Sequence, residues 1–495
     1  MKKELLDITK KSSIVFIGKV ISIILGIVFN FIAARYMGPQ VYGRFMYVYT
    51  FIGFFPLVIK LGLDQGLISF IPRLTEENRF EERNSLISFS FGLILISSGL
   101  LAGIVVLNSE FIAEFILNNK ELANLVKFLA PLIVFIALIK IYRGIFRSVN
   151  KVKYFIQGYR IILPCAKVGV LFGAAFLGYE IYGLVTSFYI GFIISSIYLL
   201  KTAISLGLTG KIKIKYWTRY KELLIFSFPL LLSGLLSFFL KKTDTFMIGY
   251  MLTEDKVGIY NIALRIGTMS GFVLTAFNTI FAPIISSLYH KGNMQKLSEM
   301  YKVITKWVVS INLVVFSLIL LFNNQLMRVF GKEFKLGATA LILISLGQII
   351  RVAVGSAGYI NTMTGYPQYE FYTSFLTVGI NISLNYLLVP VYGIEGAAFA
   401  SFTSLGLTNI IRLLLVYKNH KIHPYSFEYV KVLGVCSVSF FLVWSLKKVV
   451  VMNWLIELIG LSVVYLVLAS LFYFLFAISE NDQFILDRIK SRLLQ

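Results

Sequence analysis

The sequence predicts an all-α integral membrane protein. It would cross the bilayer about fourteen times, as two pseudo-symmetric six-helix lobes around a central cavity, with two further C-terminal helices and both termini inside. Three observations carry this prediction. The apolar residues form long unbroken blocks, Lys and Arg collect in every second connection except 364–369, and the two halves of the chain repeat each other.

The blocks come first. Of 495 residues, 58% are hydrophobic and 14% charged, against roughly 25% charged in a soluble protein. Mean hydropathy is +0.81. Runs such as 14–34, 86–107, 308–322 and 455–478 match the roughly 20 apolar residues a helix needs to cross a 30 Å hydrocarbon layer. The ten-residue alternating segments of a membrane β-barrel are absent from the sequence. In chain order the expected spans are 13–36, 42–65, 84–107, 122–146, 154–177, 181–204, 220–248, 257–284, 303–323, 338–362, 370–389, 394–416, 428–446 and 453–478, called spans 1 to 14 below.

The formal net charge is +23. On a soluble domain this excess would suggest a nucleic-acid surface. Here it lies in short connections: 2–11, 73–83, 143–153, 201–221, 291–302, 412–431 and 488–492. The opposite set holds Lys120, Lys256, Arg328, Lys332, Lys335, Lys447 and Lys448, roughly a quarter as many. The positive-inside bias places the richer set in the cytoplasm. Most outer connections are only a few residues long, which argues against a receptor or an outer enzyme domain. Two longer ones, 108–121 and 323–336, are amphipathic and suit the interface plane.

The rest of the composition excludes several classes. Cys165 and Cys436 sit in apolar helices and read as two buried small side chains, not a disulfide. His290, His420 and His423 fall in connections. No catalytic nucleophile stands beside a base and no cluster has metal-ligand spacing, so neither a catalytic nor a metal site is expected. The lead-in Met1–Lys11 is basic and amphipathic, and the apolar run after it is long enough to stay in the membrane, so no cleavable signal is expected.

The halves match at an offset of about 213–215. Arg35-Tyr36-Met37, Tyr42-Gly43 and Phe45 face Gly249-Tyr250-Met251, Val257-Gly258 and Tyr260. Asn108, Phe111, Phe115, Lys120 and Ala123 face Asn323, Leu326, Phe330, Lys335 and Ala338. Tyr179, Ile181 and Gly183 face Tyr392, Ile394 and Gly396. Each match falls on an outer connection. The expected units are 1–215 (spans 1–6), 216–425 (spans 7–12) and 426–495 (spans 13–14 with a cytoplasmic tail). An offset of six spans keeps the halves parallel, a transporter design with the substrate site between repeats; a duplication kept only for stability is the plainer alternative.

Ionisable residues at bilayer depth cost roughly 2.5–3.5 kcal/mol on insertion scales, so they face a cavity or a partner. Span 1 carries Lys19, Ser22, Gly26 and Asn30 on one face, with Arg35 at its end. Span 2 carries Lys60 and Asp64, span 4 Lys140, and span 7 Lys241 and Asp244. Span 8 carries Asn261, Arg265 and Asn278, and span 10 Gln348 and Arg351. The basic candidates for a substrate cavity are Arg265, Arg351, Lys19, Lys60, Lys241, Lys140 and Arg35. The polar or ion-coupling candidates are Asp244, Asp64, Asn30, Asn278 and Gln348. Each has a plainer alternative: Lys19, Lys60 and Arg35 can snorkel, Lys60 and Asp64 can pair at i,i+4, and Asp244 can pair with Lys241 or Arg265. The deep charges are mainly basic. That suits an anion such as a diphosphate, since Arg forks match phosphate oxygens and Lys acts as a point charge.

The segment Leu240–Ala263, with Asp244, Gly249, Gly258 and Tyr260, resembles the span 7–8 junction of prokaryotic polysaccharide flippases. Ala34–Gly43, with Gly38, Pro39, Tyr42 and Gly43, resembles their span 1–2 junction. These proteins belong to the multidrug/oligosaccharidyl-lipid/polysaccharide (MOP) exporter superfamily, and the resemblance covers about residues 5–480. It implies two lobes around a partly cationic cavity, gates formed by spans 1, 2, 7 and 8, and movement of a lipid-linked oligosaccharide to the outer leaflet by alternating access, often coupled to H⁺ or Na⁺. One departure is span 1, which has Lys19 and Arg35 in place of an arginine cluster; this disfavours a peptidoglycan-precursor flippase.

The expected function is therefore a flippase for a polyprenyl-(pyro)phosphate-linked oligosaccharide in surface-glycan synthesis, in the cell membrane. Its partners would be that substrate and membrane lipid, with no nucleic acid and no cofactor, and it would act as a monomer. The alternatives weighed are a cation-coupled drug exporter, disfavoured by the sign of the deep charges, and a lipid II-type precursor flippase. A membrane glycosyltransferase would need acidic catalytic residues on a large loop. A non-transporting scaffold would need more than the short tail 480–495.

Overall fold

The computed structural model describes residues 2–450, 452–479 and 482–483, with side chains from residue 17 onward. The basic residues 488–492, expected in the cytoplasm, lie outside that set. The described residues are helical throughout, without a β-strand. Eleven helices are long and apolar enough to cross a membrane, or twelve with the pair Lys120–Leu129 and Leu132–Ser148, which meet at 46°; Pro131 stands at that bend. Side chains such as Leu107, Phe176, Val391 and Phe476 point outward, as lipid contact requires.

Two helical runs are too long for one crossing. Lys2–Ile52 has 51 residues and would reach about 76 Å if straight. It breaks at Gly38 (φ 72°, ψ 174°), with Pro39 following. Pro367–His420 has 54 residues and breaks at Gly393 (φ 57°, ψ −135°). Only glycine adopts such backbone freely, and both breaks fall on outer connections expected from the sequence.

Besides span 4, three of the expected spans are broken within their length among the described residues. Span 2 divides after Ile59, where Leu61 (φ 47°) and Gly62 (φ 76°) precede the helix Leu63–Glu76. Span 8 divides into Glu254–Gly267 and Gly271–His290. Span 10 divides into Ala338–Val354 and Ala357–Met363 at Gly355 (φ 66°). A helix break in hydrocarbon frees backbone groups that must be paired. At span 10 the Tyr301 hydroxyl donates to the Val354 carbonyl at 2.6 Å, and a Cβ on Gly355 would lie 2.3 Å from Thr305 Oγ1. Span 9 is thus stitched to the break.

The chain forms two compact units, Met1–Gly258 and Ile259–Gln495. This division follows packing, so span 7 groups with the first six, whereas the repeat boundary near 215 follows sequence similarity. In the first unit, spans 2 and 7 approach closely: a Cβ on Gly62 would lie 2.1 Å from the Ser227 carbonyl oxygen and one on Gly66 2.0 Å from its hydroxyl. In the second, spans 13 and 14 pack on span 9 through Leu321, Phe322, Val443, Leu461 and Tyr465. Lys306, 2% exposed, fastens one end of this packing by pairing with Glu428 and Asp482, each at 2.8 Å. Asp482 also accepts from Trp307 Nε1 at 2.7 Å and the Tyr473 hydroxyl at 3.0 Å.

The three sequence matches adopt matched local structure. Gly183 and Gly396 both sit where a span packs back on its predecessor, with Cβ positions 2.7 Å from Ala174 and 2.4 Å from the Leu388 carbonyl. Asn118 (φ 55°) and Gly331 (φ 146°) both take positive φ just before the 3₁₀ segments Lys120–Leu122 and Lys332–Gly337. The third match is closest. A Cβ on Gly43 would lie 1.7 Å from the Glu254 carbonyl oxygen, and one on Gly258 2.2 Å from that of Pro39. Each glycine meets the carbonyl four residues before the other.

Candidate functional sites in the two units

The break in span 2 places the first cluster. Gly62 turns the chain, so Asp64 enters the first turn of Leu63–Glu76, where the helix dipole favours a carboxylate. Lys60, just before the break, donates to Asp64 Oδ1 at 2.9 Å and Oδ2 at 3.0 Å. Both residues are buried. The half-buried Lys140 of span 4 stands near enough to feel both charges. Gly144 lets span 4 reach this point: its Cβ would lie 2.6 Å from the Asp64 carbonyl oxygen. The cluster holds two lysines and one carboxylate. Leu61, a non-glycine residue at φ 47°, is strained, and strain of this kind collects at working sites.

The second cluster lies in the other unit. Arg351 Nη1 donates to Gln348 Oε1 at 3.4 Å, and both lie against Gly271, where a Cβ would be 2.6 Å from Gln348 Oε1 and 3.4 Å from Arg351 Nη1. The break in span 8 thus presents bare backbone to span 10. Arg412 of span 12 donates from Nη2 to Glu370 Oε1 at 2.6 Å, from Nε to Thr373 Oγ1 at 3.1 Å and from Nη2 to Ser374 Oγ at 3.3 Å. The charges of Arg412 and Glu370 both reach Arg351. Here the one carboxylate pairs with Arg412.

The other expected residues are placed separately. Asn30 is buried, accepts from the Tyr42 hydroxyl at 2.6 Å and donates to the Gly26 carbonyl. Asn278 accepts from the Ser356 hydroxyl at 2.5 Å, tying span 8 to the break in span 10. Asp244 is buried, Lys19 half-buried, and Arg35, Lys241 and Arg265 exposed. Lys19, Lys241, Asp244 and Arg265 all have interaction partners. One expectation is corrected: Cys436 is buried but Cys165 is exposed, because its face of span 5 points away from the unit. A lone thiol is small and apolar enough to meet lipid as readily as core.

The structure adds charged groups that sequence reasoning passed over. Lys167 of span 5 lies 3.1 Å from the Phe188 ring centroid and 4.3 Å from that of Phe29, a cation–π setting that steadies an ammonium away from water. A lysine in the middle of an apolar run was the available signal. Arg412 falls at the start of the connection 412–431, expected in the cytoplasm, and Glu370 at the edge of span 11 has nothing nearby in sequence to pair it.

The family model described as "Polysaccharide biosynthesis protein" matches residues 8–289, more than half of the chain. The chain belongs to the polysaccharide biosynthesis protein family. A second model, MatE, matches residues 229–387. An uncharacterized membrane protein of Methanocaldococcus jannaschii, MJ1068, is 25% identical over 71% of this chain and 73% of its own length. The probable low-salt glycan biosynthesis flippase Agl15 of Haloferax volcanii is 26% identical over 46% of this chain and 48% of its own. Among solved structures, lipid II flippase MurJ in an inward closed conformation shares the fold with a TM-score of 0.71 and 20% identity, over 92% of this chain and 98% of that one. An inward-facing multidrug resistance MATE transporter of the MOP superfamily follows at 0.64 and 16%, over 80% and 94%. This member of the family is a multi-pass membrane protein.

Proposed function

We propose that this family member is a flippase for a polyprenyl-(pyro)phosphate-linked oligosaccharide. It moves the glycolipid from the cytoplasmic to the outer leaflet by alternating access, with a H⁺ or Na⁺ gradient as the driving force. It acts as a monomer of fourteen spans with both termini inside; the breaks at Gly38 and Gly393 divide the two longest runs into two spans each. The observation that carries the reading is the charge ratio of the clusters. Lys60 pairs with Asp64 beside Lys140, and Arg412 pairs with Glu370 beside Arg351. Each cluster has more basic groups than carboxylates, an imbalance that is costly where the groups are buried, and an anionic headgroup removes that cost. Asp64 and Asp244 are the candidate groups for ion coupling.

The test is a leaflet assay. Purified protein is reconstituted in liposomes holding a fluorescent prenyl-diphosphate oligosaccharide, and the outer leaflet is quenched with and without an ion gradient. Translocation that is lost in an Arg265→Ala, Arg351→Ala double variant is the expected result. The MatE match over 229–387 favours a second reading, cation-coupled drug export. Extrusion of organic cations, with no glycolipid movement, would establish that reading instead.

A further inference from the structure

Glu370 and Arg412 make an incomplete pair. Arg412 is 16% exposed and Glu370 44%. Only Oε1 of the carboxylate bonds to the guanidinium; Oε2 is buried with no hydrogen-bond partner among the described residues. A fork-to-fork arrangement would have used both oxygens, and an orphaned carboxylate oxygen is costly. Among the described residues the guanidinium is otherwise held by two neutral hydroxyls, Thr373 and Ser374. Arg351 adds a second cation to the cluster. The side chain that blocks Arg412 is therefore weakly seated, partly open to solvent, and outnumbered by positive charge.

The room for Oε2 comes from Gly358 on the short helix Ala357–Met363. A Cβ there would lie 2.9 Å from Glu370 Oε2 and 3.7 Å from Arg412 Cδ. Glycine at this position leaves space for the carboxylate end, and that end can swing out of it.

We propose that Arg412 and Arg351 form a binding site for a diphosphate group, and that Glu370 is a built-in counter-ion which the diphosphate displaces. The site deepens the flippase reading and rests on it for the identity of the substrate. A diphosphate offers more acceptor oxygens and more charge than one carboxylate, so it satisfies both arginines where Glu370 satisfies half of one. When the anion leaves, Glu370 returns and Arg412 is not stranded unpaired. The same exchange explains why a carboxylate sits in a site built to hold an anion: it lowers affinity enough for release.

The experiment measures binding of farnesyl diphosphate to the purified full chain by equilibrium dialysis, with inorganic diphosphate as competitor, beside the leaflet assay. Glu370→Gln keeps the shape but not the charge, and is expected to tighten binding roughly tenfold, about the weight of one charge-assisted hydrogen bond. Arg412→Gln is expected to weaken binding by a similar factor and to cancel the effect of Glu370→Gln in the double variant. Gly358→Ala keeps every charge and pushes the carboxylate aside, so it should also tighten binding. It decides the matter if Glu370→Gln fails to fold. Competition by inorganic diphosphate at equal concentration would identify the free ion as ligand; competition only by prenyl forms would identify a lipid headgroup; both sustain the site. Unchanged or weaker binding in Glu370→Gln and Gly358→Ala would overturn it. Glycolipid translocation with these substitutions silent would sink the site and leave the flippase reading standing. Diphosphate binding that responds to them, without glycolipid translocation, would sink the flippase reading and leave the site.

Discussion

Replacing Gly43 with alanine tests the tightest backbone contact in the first unit. The new Cβ would lie 1.7 Å from the Glu254 carbonyl oxygen, 2.7 Å from its carbon and 2.9 Å from the Gly258 nitrogen. All three are backbone atoms, so no side chain can rotate away. Ordinary carbon–oxygen contact needs about 3.3 Å, so the two connections must separate by about 1.5 Å. Overpacking of this kind costs about 1–3 kcal/mol. Gly258→Ala attacks the same crossing from the other side, at 2.2 Å from the Pro39 carbonyl oxygen. Once one substitution has parted the connections, the second meets less resistance. The double variant should therefore lose less than the sum of the singles, a coupling expected for touching sites. The assay is thermal unfolding followed with a thiol-reactive dye in a Cys165→Ser background, where the buried Cys436 reports unfolding. A loss of roughly 2–6 °C for each single variant is expected. Melting within 1 °C of the parent for Gly43→Ala would refute the close approach, and strict additivity would refute the shared crossing.

Two further outcomes follow from the buried charges. Burial alone would raise the Asp482 carboxyl, but donors from Lys306, the Ser479 amide and Trp307 outweigh it and hold it at about 2, below the ordinary 3.8. A depressed carboxyl stabilises the fold above its ordinary value and loses that contribution as pH falls through the depressed one. Asp482→Asn should therefore lower stability at pH 7 by about 1.5–3 kcal/mol, with the gap to the parent narrowing below pH ~4; a gap that stays constant down to pH 3 counts against the pair. Lys60→Met removes the ammonium that is hydrogen-bonded to the buried Asp64 and should cost about 3–5 kcal/mol, whereas Lys60→Met with Asp64→Leu should recover most of it. If the double variant melts no higher than the single, Lys60 is not held there by Asp64.

Much of this protein was legible in its sequence because the bilayer imposes simple rules. Hydrocarbon thickness fixes the length of apolar runs, and charge bias suggests which connections are inside. Gly43 and Gly258 stood out as repeat partners before their contact was seen. The Lys60–Asp64 pair was a stated alternative because i,i+4 neighbours meet on any helix. The pairs Arg412–Glu370 and Lys306–Asp482 were not legible. Their partners are 42 and 176 residues apart, and pairing depends on which helix faces meet. In a soluble helix, polarity marks the outward face. Here lipid and protein interior are equally apolar, so that mark is missing. The sequence by itself determined the membrane class, the repeat and the basic character of the deep charges. Only the tertiary structure decided which carboxylate each cation meets, because that choice is made by packing between faces the hydropathy pattern cannot tell apart.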